Sequence, residues 1–230
     1  TELGSLSQSF LNLIEALQDT LASLKASLHE KDILLREVHH RVKNNLQVIS
    51  SMINLEADEF LDEKIRQVLF ELQEKVYAMS MVHETVYSSA SFSAIPMSLY
   101  LDKLAESLSS YHSLQIPIAI HIDADDVQLN LERAIPCALI IVELVTNAFK
   151  YAFSGKPEGL ITVSLKEEGS EYSLSVRDNG VGFKSHTTQK IEKTGGIGSL
   201  IVEALCSQLK GTLHLETGPQ GTCIEIRFPQ

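Results

Sequence analysis

Two adjacent histidines, His39 and His40, lie in a leucine-rich stretch whose apolar spacing predicts a helix. Arg41 and Lys43 follow closely, together with two asparagines, and inside a core each of these polar groups would need a partner. On an exposed helix face the same cluster could present a histidine as a nucleophile, because neutral imidazole is available near pH 7. The segment therefore predicts a histidine nucleophile, provided that the chain also supplies an electrophile.

A second set of polar residues recurs on the helix that we predict over residues 131–153. Glu143, Asn147, Lys150 and Tyr151 share one face of this helix at about 100° of rotation per residue. Such a face suits a hydrated divalent cation and phosphate: Asn147 can ligate Mg²⁺, Lys150 can meet a phosphate, and Glu143 can polarise water. The simpler alternative is the solvated face of an amphipathic helix.

A carboxylate followed by two glycines marks the end of a predicted strand. Asp178 could accept a hydrogen bond there from an amine such as that of adenine, while Gly180 and Gly182 allow a ligand to approach the backbone. The alternative is an Asp-Asn-Gly turn that binds nothing.

Two further features could contact a nucleotide. Gly196 and Gly198 lie at the start of a predicted helix, whose free N–H groups and dipole favour a phosphate. The polar segment 184–193 precedes them and is interpreted as a lid, with a basic surface loop as the alternative. Thr222 opens the last predicted strand and could add a hydroxyl to the pocket, although a glycine before a strand is common without any ligand.

Apolar periodicity defines the elements that would position these residues. Apolar side chains recur at helical spacing over residues 3–55 and again over residues 61–86, which predicts a helical hairpin. Neither helix can bury its apolar stripe alone, so we expect a homodimer that forms a four-helix bundle. Residues 88–93 are small and polar and are interpreted as a linker.

Beyond the linker the pattern changes to alternating strands mixed with helices. We predict helices over residues 97–108, 131–153 and 199–209, and strands over residues 117–122, 160–166, 171–177, 211–216 and 222–228. The predicted fold class is α+β, a helical hairpin followed by an α/β sandwich whose mixed sheet is covered by helices on one face. The predicted domains are a coiled-coil signalling helix (1–30), the hairpin (31–91) and the sandwich (92–230).

Composition argues against several classes of protein. A net charge of −11 over 230 residues, with no basic stripe, argues against nucleic-acid binding. The longest apolar run, residues 134–145, is too short to cross a bilayer, so we expect no membrane contact by this chain. Cys137, Cys206 and Cys223 lack metal-ligand spacing, which predicts free thiols in a cytoplasmic protein. Because the chain starts at Thr1, we expect an upstream sensor region outside it.

Four motifs resemble, in order, the N, G1, G2 and terminal boxes of the Bergerat ATP-binding fold, which sensor histidine kinases share with gyrase and MutL proteins. They lie at residues 143–151, 178–182, 196–198 and 221–222. Upstream, residues 34–49 resemble the phosphoacceptor segment of the histidine kinase subtype HisKA_2. The related HWE subtype requires a tryptophan, and this chain has none.

The resemblance implies an ATP-dependent protein-histidine kinase of a two-component system, with ATP and Mg²⁺ as cofactors. His40 would be the phosphoacceptor, and the phosphate would pass to an aspartate on the receiver domain of a response regulator. Heptad register agrees, because core positions for Leu35, Val38 and Val42 put His40 at the exposed f position and His39 at e, beside the core. The implied nucleotide-binding residues are Asn147 (also the metal ligand), Lys150, Tyr151, Asp178, Gly180, Gly182, Gly196, Gly198 and Thr222.

Two positions depart from the family's pattern. Arg41 stands where many histidine kinases carry a carboxylate, so Glu143 and Glu37 are the candidate general bases, and Ser199 stands where the G2 box usually has a leucine. Two alternatives to a histidine kinase are a serine kinase of the anti-sigma type, which shares the ATP fold, and a non-catalytic dimeric scaffold with a nucleotide pocket.

Overall fold

A computed structural model of the chain describes residues 2–60, 62–88, 94–112, 116–182 and 197–230. The helices are α1 (Glu2–Glu59), α2 (Glu63–Ser88), α3 (Met97–His112), α4 (Leu131–Tyr151) and α5 (Ile197–Gln208). The strands are β1 (Ile95–Pro96), β2 (Ile118–Ala124), β3 (Gln128–Leu129), β4 (Gly159–Glu168), β5 (Glu171–Asp178), β6 (Thr212–Gly218) and β7 (Gly221–Pro229).

The two N-terminal helices form the predicted hairpin. Helix α1 has no proline and runs through Glu59, and α2 begins at Glu63, so residues 57–59 belong to α1. The helices therefore lie antiparallel. Two contacts show how the helices are aligned along their axes: His39 Nδ1 lies 3.2 Å from His83 Nδ1, and Lys43 Nζ lies 2.9 Å from Glu84 Oε1.

Five strands form one mixed sheet in the order β2-β4-β5-β7-β6. Strands β2 and β4 are parallel, and the other three pairs are antiparallel. In β4 the residues on one face, such as Ile161 and Val163, are fully buried beneath helices α3 to α5, while Leu160 on the other face is exposed. The predicted α+β class, with helices on one face of a mixed sheet, is confirmed.

Helix α4 is the central element of the core. Asn130 caps its N-terminus by accepting a hydrogen bond from the backbone N–H of Arg133 at 3.1 Å. Among the described helices, α4 has the length and apolarity of a membrane-spanning segment, but 67% of that stretch is buried inside the protein. Its apolarity is therefore accounted for by packing against the sheet and the neighbouring helices.

The hydrophobic core continues from the sandwich into the hairpin. Ala78, Met81 and Val82 of α2 are buried in the same cluster as residues of α3 and α4. The Tyr100 hydroxyl, fully buried, donates to the carbonyl oxygen of Ala78 at 3.3 Å. The domain boundary predicted near residues 91–92 thus separates two segments that share one hydrophobic core. Residues 89–93 of the predicted linker lie outside the described residues. The division into three domains stays a prediction.

Three local details bear on the predictions from the sequence. The two-residue strands β1 and β3, which pair antiparallel, are too short to show an alternating pattern in the sequence. Leu35 and Val38, assigned to core positions, are 47% and 54% exposed in a single chain, so that assignment stays a prediction about the dimer. They are exposed because α2 lies against the adjacent stripe of α1, which carries His39. The cysteines are free, and burial raises the pKa of the Cys137 thiol to about 12.

Candidate active site

Asp178 ends strand β5 and is held by the backbone around it. The residue is only 8% exposed, and its Oδ1 accepts hydrogen bonds from the N–H groups of Gly180 at 2.8 Å and Thr222 at 3.2 Å. Both donors reach the same oxygen, so Oδ2 is the atom that can accept from an exocyclic amine. The structure therefore brings the G1 motif and the start of β7 together around one carboxylate.

The glycines near Asp178 allow three backbone segments to meet. A Cβ at Gly180 would overlap Ala152 at the end of α4, and one at Gly182 would overlap Gly218 at the end of β6. Gly221 has φ +117° and lies against the carbonyl of Asp178, where a side chain would be both strained and obstructed. Because glycine lacks a side chain, the backbone of these segments can meet around Asp178, and we call this arrangement the cradle.

The polar face of α4 lies next to the start of α5. Glu143 is 6% exposed, and its Oε1 accepts a hydrogen bond from Asn147 Nδ2 at 3.3 Å. That bond uses the amide nitrogen of Asn147, which leaves the amide oxygen as a ligand for a cation. A Cβ on Gly198 would overlap the Glu143 carboxylate, so the N-terminus of α5 lies directly against this face.

The other two residues of the α4 face differ in their surroundings. Lys150 is half-buried, with its Nζ 2.5 Å from Glu71 Oε1 of α2, whereas Tyr151 is 69% exposed. Glu143 is also engaged from α2, because Lys75 Nζ lies 2.6 Å from its Oε2. Glu71 and Lys75 were missed by the sequence analysis, since nothing in their local pattern separates them from other charges on an amphipathic helix.

Lys156 is a further residue that the sequence analysis missed. Its ammonium donates to the carbonyl oxygens of Gly180, at 3.0 Å, and of Asn179. It therefore fixes the turn that follows Asp178, and a lysine beside a glycine in a loop carries no signal of this role. Gly196 and the lid proposed for residues 184–193 lie outside the described residues.

His40 is exposed on α1, and its neighbour at the next turn contacts it. Its Nδ1 lies 3.1 Å from Asn44 Nδ2, while Arg41 Nε donates to Glu37 Oε1 at 2.7 Å. Arg41 thus engages Glu37, one of the two candidate bases, in an exposed ion pair. His39 faces α2 instead, as its position beside the core predicted, and its ring lies 5.4 Å from that of His83.

Two family models match the chain. Residues 37–112 match HisKA_2, described as histidine kinase, and residues 132–230 match the histidine kinase-, DNA gyrase B- and HSP90-like ATPase. The first match contains His40 and the whole of α2, and the second contains the α4 face, Asp178 and Thr222.

The relatives are named as histidine kinases. The sensor histidine kinase PdtaS of Mycolicibacterium smegmatis is 30% identical over 206 residues, which are 88% of this chain and 41% of that protein. Blue-light-activated histidine kinase 2 of Erythrobacter litoralis is 29% identical over 205 residues, 87% of this chain and 58% of that protein. The chain spans about two fifths of the length of the PdtaS proteins it matches.

The fold is similar to that of a solved histidine kinase domain. The domain from the blue-light-activated histidine kinase EL346 of Erythrobacter litoralis superposes with a TM-score of 0.63 at 28% identity. The match covers 85% of this chain and 92% of that one, so it includes helical as well as sandwich segments.

Proposed function

Because the chain belongs to the histidine kinases, with a HisKA_2 segment and a histidine kinase-type ATPase domain, we propose that it transfers the γ-phosphate of ATP to its own His40. The observation that carries the proposal is the combination, in one chain, of an exposed His40 and the cradle around Asp178. Neither feature alone has this meaning, because an exposed histidine is common and a nucleotide site serves many reactions.

The nucleotide would lie between Asp178 and the polar face of α4. We assign Asp178 to a hydrogen bond with the adenine amine. Lys150 and Tyr151 would contact the nucleotide from the polar face of α4. The residues that would make close backbone or hydroxyl contacts are Gly180, Gly182, Gly198 and Thr222. Gly196 keeps its proposed phosphate contact by resemblance alone. Two observations support the assignment to adenine: the buried Asp178 carboxylate has one oxygen bonded by two N–H groups, and the backbone approaches it closely at the glycines.

Asn147 is the proposed Mg²⁺ ligand. Its amide oxygen is the kind of hard donor that Mg²⁺ prefers, and the adjacent Glu143 carboxylate can hold a metal-bound water. When bound, the metal would neutralise charge on the phosphates during transfer.

In the proposed reaction, a lone pair on one imidazole nitrogen of His40 attacks the γ-phosphorus of ATP. A nitrogen–phosphorus bond forms, the bond from that phosphorus to the bridging oxygen breaks, and ADP leaves with the electron pair. The proton on the other ring nitrogen passes to a base, for which we assign Glu143. Positioning and charge neutralisation supply most of the rate.

We further propose that the phosphate passes to an aspartate on the receiver domain of a response regulator, and that the active species is a homodimer. Exposed apolar side chains along α1 support the dimer, because one chain leaves them uncovered. The members of this exposed set are Leu17, Leu21, Leu24, Leu28, Leu35 and Val38.

Incubation with γ-labelled ATP and Mg²⁺ tests the proposed acceptor. The chain should take up label that is lost in acid and retained in alkali, and His40→Gln should reduce this label to background. His39→Gln is the matched control and should keep most of the label, since that ring faces α2. Label that persists in His40→Gln would rule out the acceptor assignment.

The labelling experiment and a calorimetric titration separate the alternatives. Acid-stable label on a serine of a partner protein would favour the anti-sigma type of kinase. No binding of ATP in the titration would favour the scaffold.

A further inference from the structure

One face of α2 covers the part of α4 that carries the nucleotide-site residues. Lys75 Nζ lies 2.6 Å from Glu143 Oε2, and Lys150 Nζ lies 2.5 Å from Glu71 Oε1. The two ion pairs have opposite polarity, so each helix contributes one cation and one anion. The two helices run in opposite directions here, because the higher-numbered residue of α2 contacts the lower-numbered residue of α4.

Both ion pairs are largely shielded from water. The side chains of Lys75 and Glu143 are 20% and 8% exposed, and those of Lys150 and Glu71 are 21% and 22% exposed. Charges removed from water to this extent interact through a lower dielectric, and removing one partner leaves the other poorly solvated. Between the two pairs, the hydroxyl of Thr146 donates to Glu74 Oε2 at 3.3 Å. Glu71, Glu74 and Lys75 therefore form a polar clamp on α4, which we call the α2 clamp.

The clamp engages groups that the proposed reaction needs. Glu143 Oε2 is held by the Lys75 ammonium, so this carboxylate is kept against α2 and away from an incoming substrate. Lys150 cannot contact a phosphate while its ammonium is paired with Glu71. The contacts at Asp178 lie outside the clamp, so the adenine side of the cradle remains formed.

The clamp also holds Glu143 far from His40 along the axis of α2. His39 contacts His83 across the hairpin, so His40 lies close to residue 83 along this axis. Lys75, which holds Glu143, lies eight residues away along α2, which corresponds to about 12 Å at 1.5 Å per residue. Within one chain, transfer to His40 would therefore require Glu143 to move along α2 from the position that the clamp holds.

We propose that the α2 clamp is an autoinhibitory contact, and that Mg-nucleotide binding releases it by competing for Glu143 and Lys150. The inference rests on the proposed function, because it takes these two residues as part of the nucleotide site. Competition is reciprocal: if the nucleotide weakens the clamp, then loss of the clamp strengthens nucleotide binding by the same factor.

The first test measures nucleotide affinity without turnover. A non-hydrolysable ATP analogue with Mg²⁺ is titrated by calorimetry into the chain and into the double variant Glu71→Gln/Lys75→Gln. We expect the double variant to bind about tenfold more tightly, a coupling of ordinary size for linked sites. The matched control is Glu63→Gln/Lys64→Gln, which removes the same two charges from the exposed start of α2 and should bind like the unmodified chain.

The second test follows the clamp itself by acetylating lysines with acetic anhydride and locating the products by mass spectrometry. Addition of the analogue with Mg²⁺ should increase the acetylation of Lys75, because its carboxylate partner is lost. Lys150 should stay protected, because it exchanges Glu71 for a phosphate. Lys64, exposed in either arrangement, gives the reference rate.

The outcomes distinguish the two proposals. Nucleotide binding with unchanged Lys75 acetylation, and with equal affinities for the clamp variant and its control, would overturn the clamp alone. No binding by any variant would overturn the proposed function and the clamp with it.

Discussion

Among single residues, His83 shows how burial shifts the protonation of a side chain beside the proposed phosphoacceptor segment. It is 8% exposed on α2 and faces His39 across the hairpin. Desolvation, and to a lesser extent the nearby His39, lower its pKa from the ordinary value of 6.5. The charged form of His83 is disfavoured because burial removes its contact with water.

Stability should therefore depend on the protonation of His83. Below pH 6.5 the unfolded chain takes up a proton at this position before the folded chain does, so stability falls as pH is lowered through that window. Above pH 6.5 its contribution is fully present. Between pH 7.5 and 5.5 the melting temperature of the unmodified chain should fall by about 2 °C more than that of His83→Gln. Calorimetric melting curves measure this difference.

His121 supplies the control for this prediction. It lies exposed on strand β2, and His121→Gln should keep the pH dependence of the unmodified chain. Identical pH profiles for His83→Gln and the unmodified chain would contradict the role of buried His83.

Among the elements, α1 has the largest unburied apolar surface. Leu24 is 56% exposed and Leu28 is 53% exposed, and both lie N-terminal to the part of α1 that α2 covers. A helix with an exposed leucine stripe is stable in water when a second helix covers it. This arrangement supports the proposed homodimer, in which the same stripe of a second chain would provide that cover.

Charged residues in this stripe should dissociate the dimer. The unmodified chain is expected to sediment at twice the 25.4 kDa of one chain, and Leu24→Glu/Leu28→Glu should raise the dimer dissociation constant at least about 100-fold. Analytical ultracentrifugation measures both values. Ser23→Glu, on the same turn and exposed, is the control and should remain dimeric. A monomeric unmodified chain at micromolar concentration would contradict the proposed assembly.

In the molecule as a whole, the hairpin and the sandwich are joined by packing as well as by ion pairs. Val82 of α2 is fully buried in the cluster that also contains Tyr100 of α3 and Ala138 of α4. A change in α2 should therefore reach the sheet, because the core that supports the strands includes α2.

Val82→Ala should destabilise the sheet although it lies in the hairpin. The lost side-chain atoms and the cavity that remains should lower stability by about 2 kcal/mol. Hydrogen exchange of amides in β4 and β5 should then become faster, and a mass-spectrometric measurement resolves these strands. Leu72→Ala, at a residue of α2 that is 47% exposed, should leave the exchange in both strands unchanged. Equal protection in Val82→Ala and the unmodified chain would mean that the two parts unfold independently.

The sequence alone determined most elements and the local grouping of the site residues. Helix and strand patterns repeat over a few residues, so α1, α2, α4 and the five sheet strands were recognisable from apolar spacing. Glu143, Asn147 and Lys150 were grouped for the same reason, because a helix fixes which neighbours share a face. The family resemblance linked this face to Asp178 and to His40.

Only the tertiary structure decided which of these groups meet residues distant in the chain. Glu71 and Lys75 look like ordinary charges on α2 until α4 is placed against them, and Lys156 gains its role only when the turn after Asp178 folds over it. Likewise, the position of His39 against His83 shows which stripe of α1 faces α2. Local periodicity records which face of a helix is apolar or charged, but the partner of that face depends on long-range packing that no short stretch of sequence specifies.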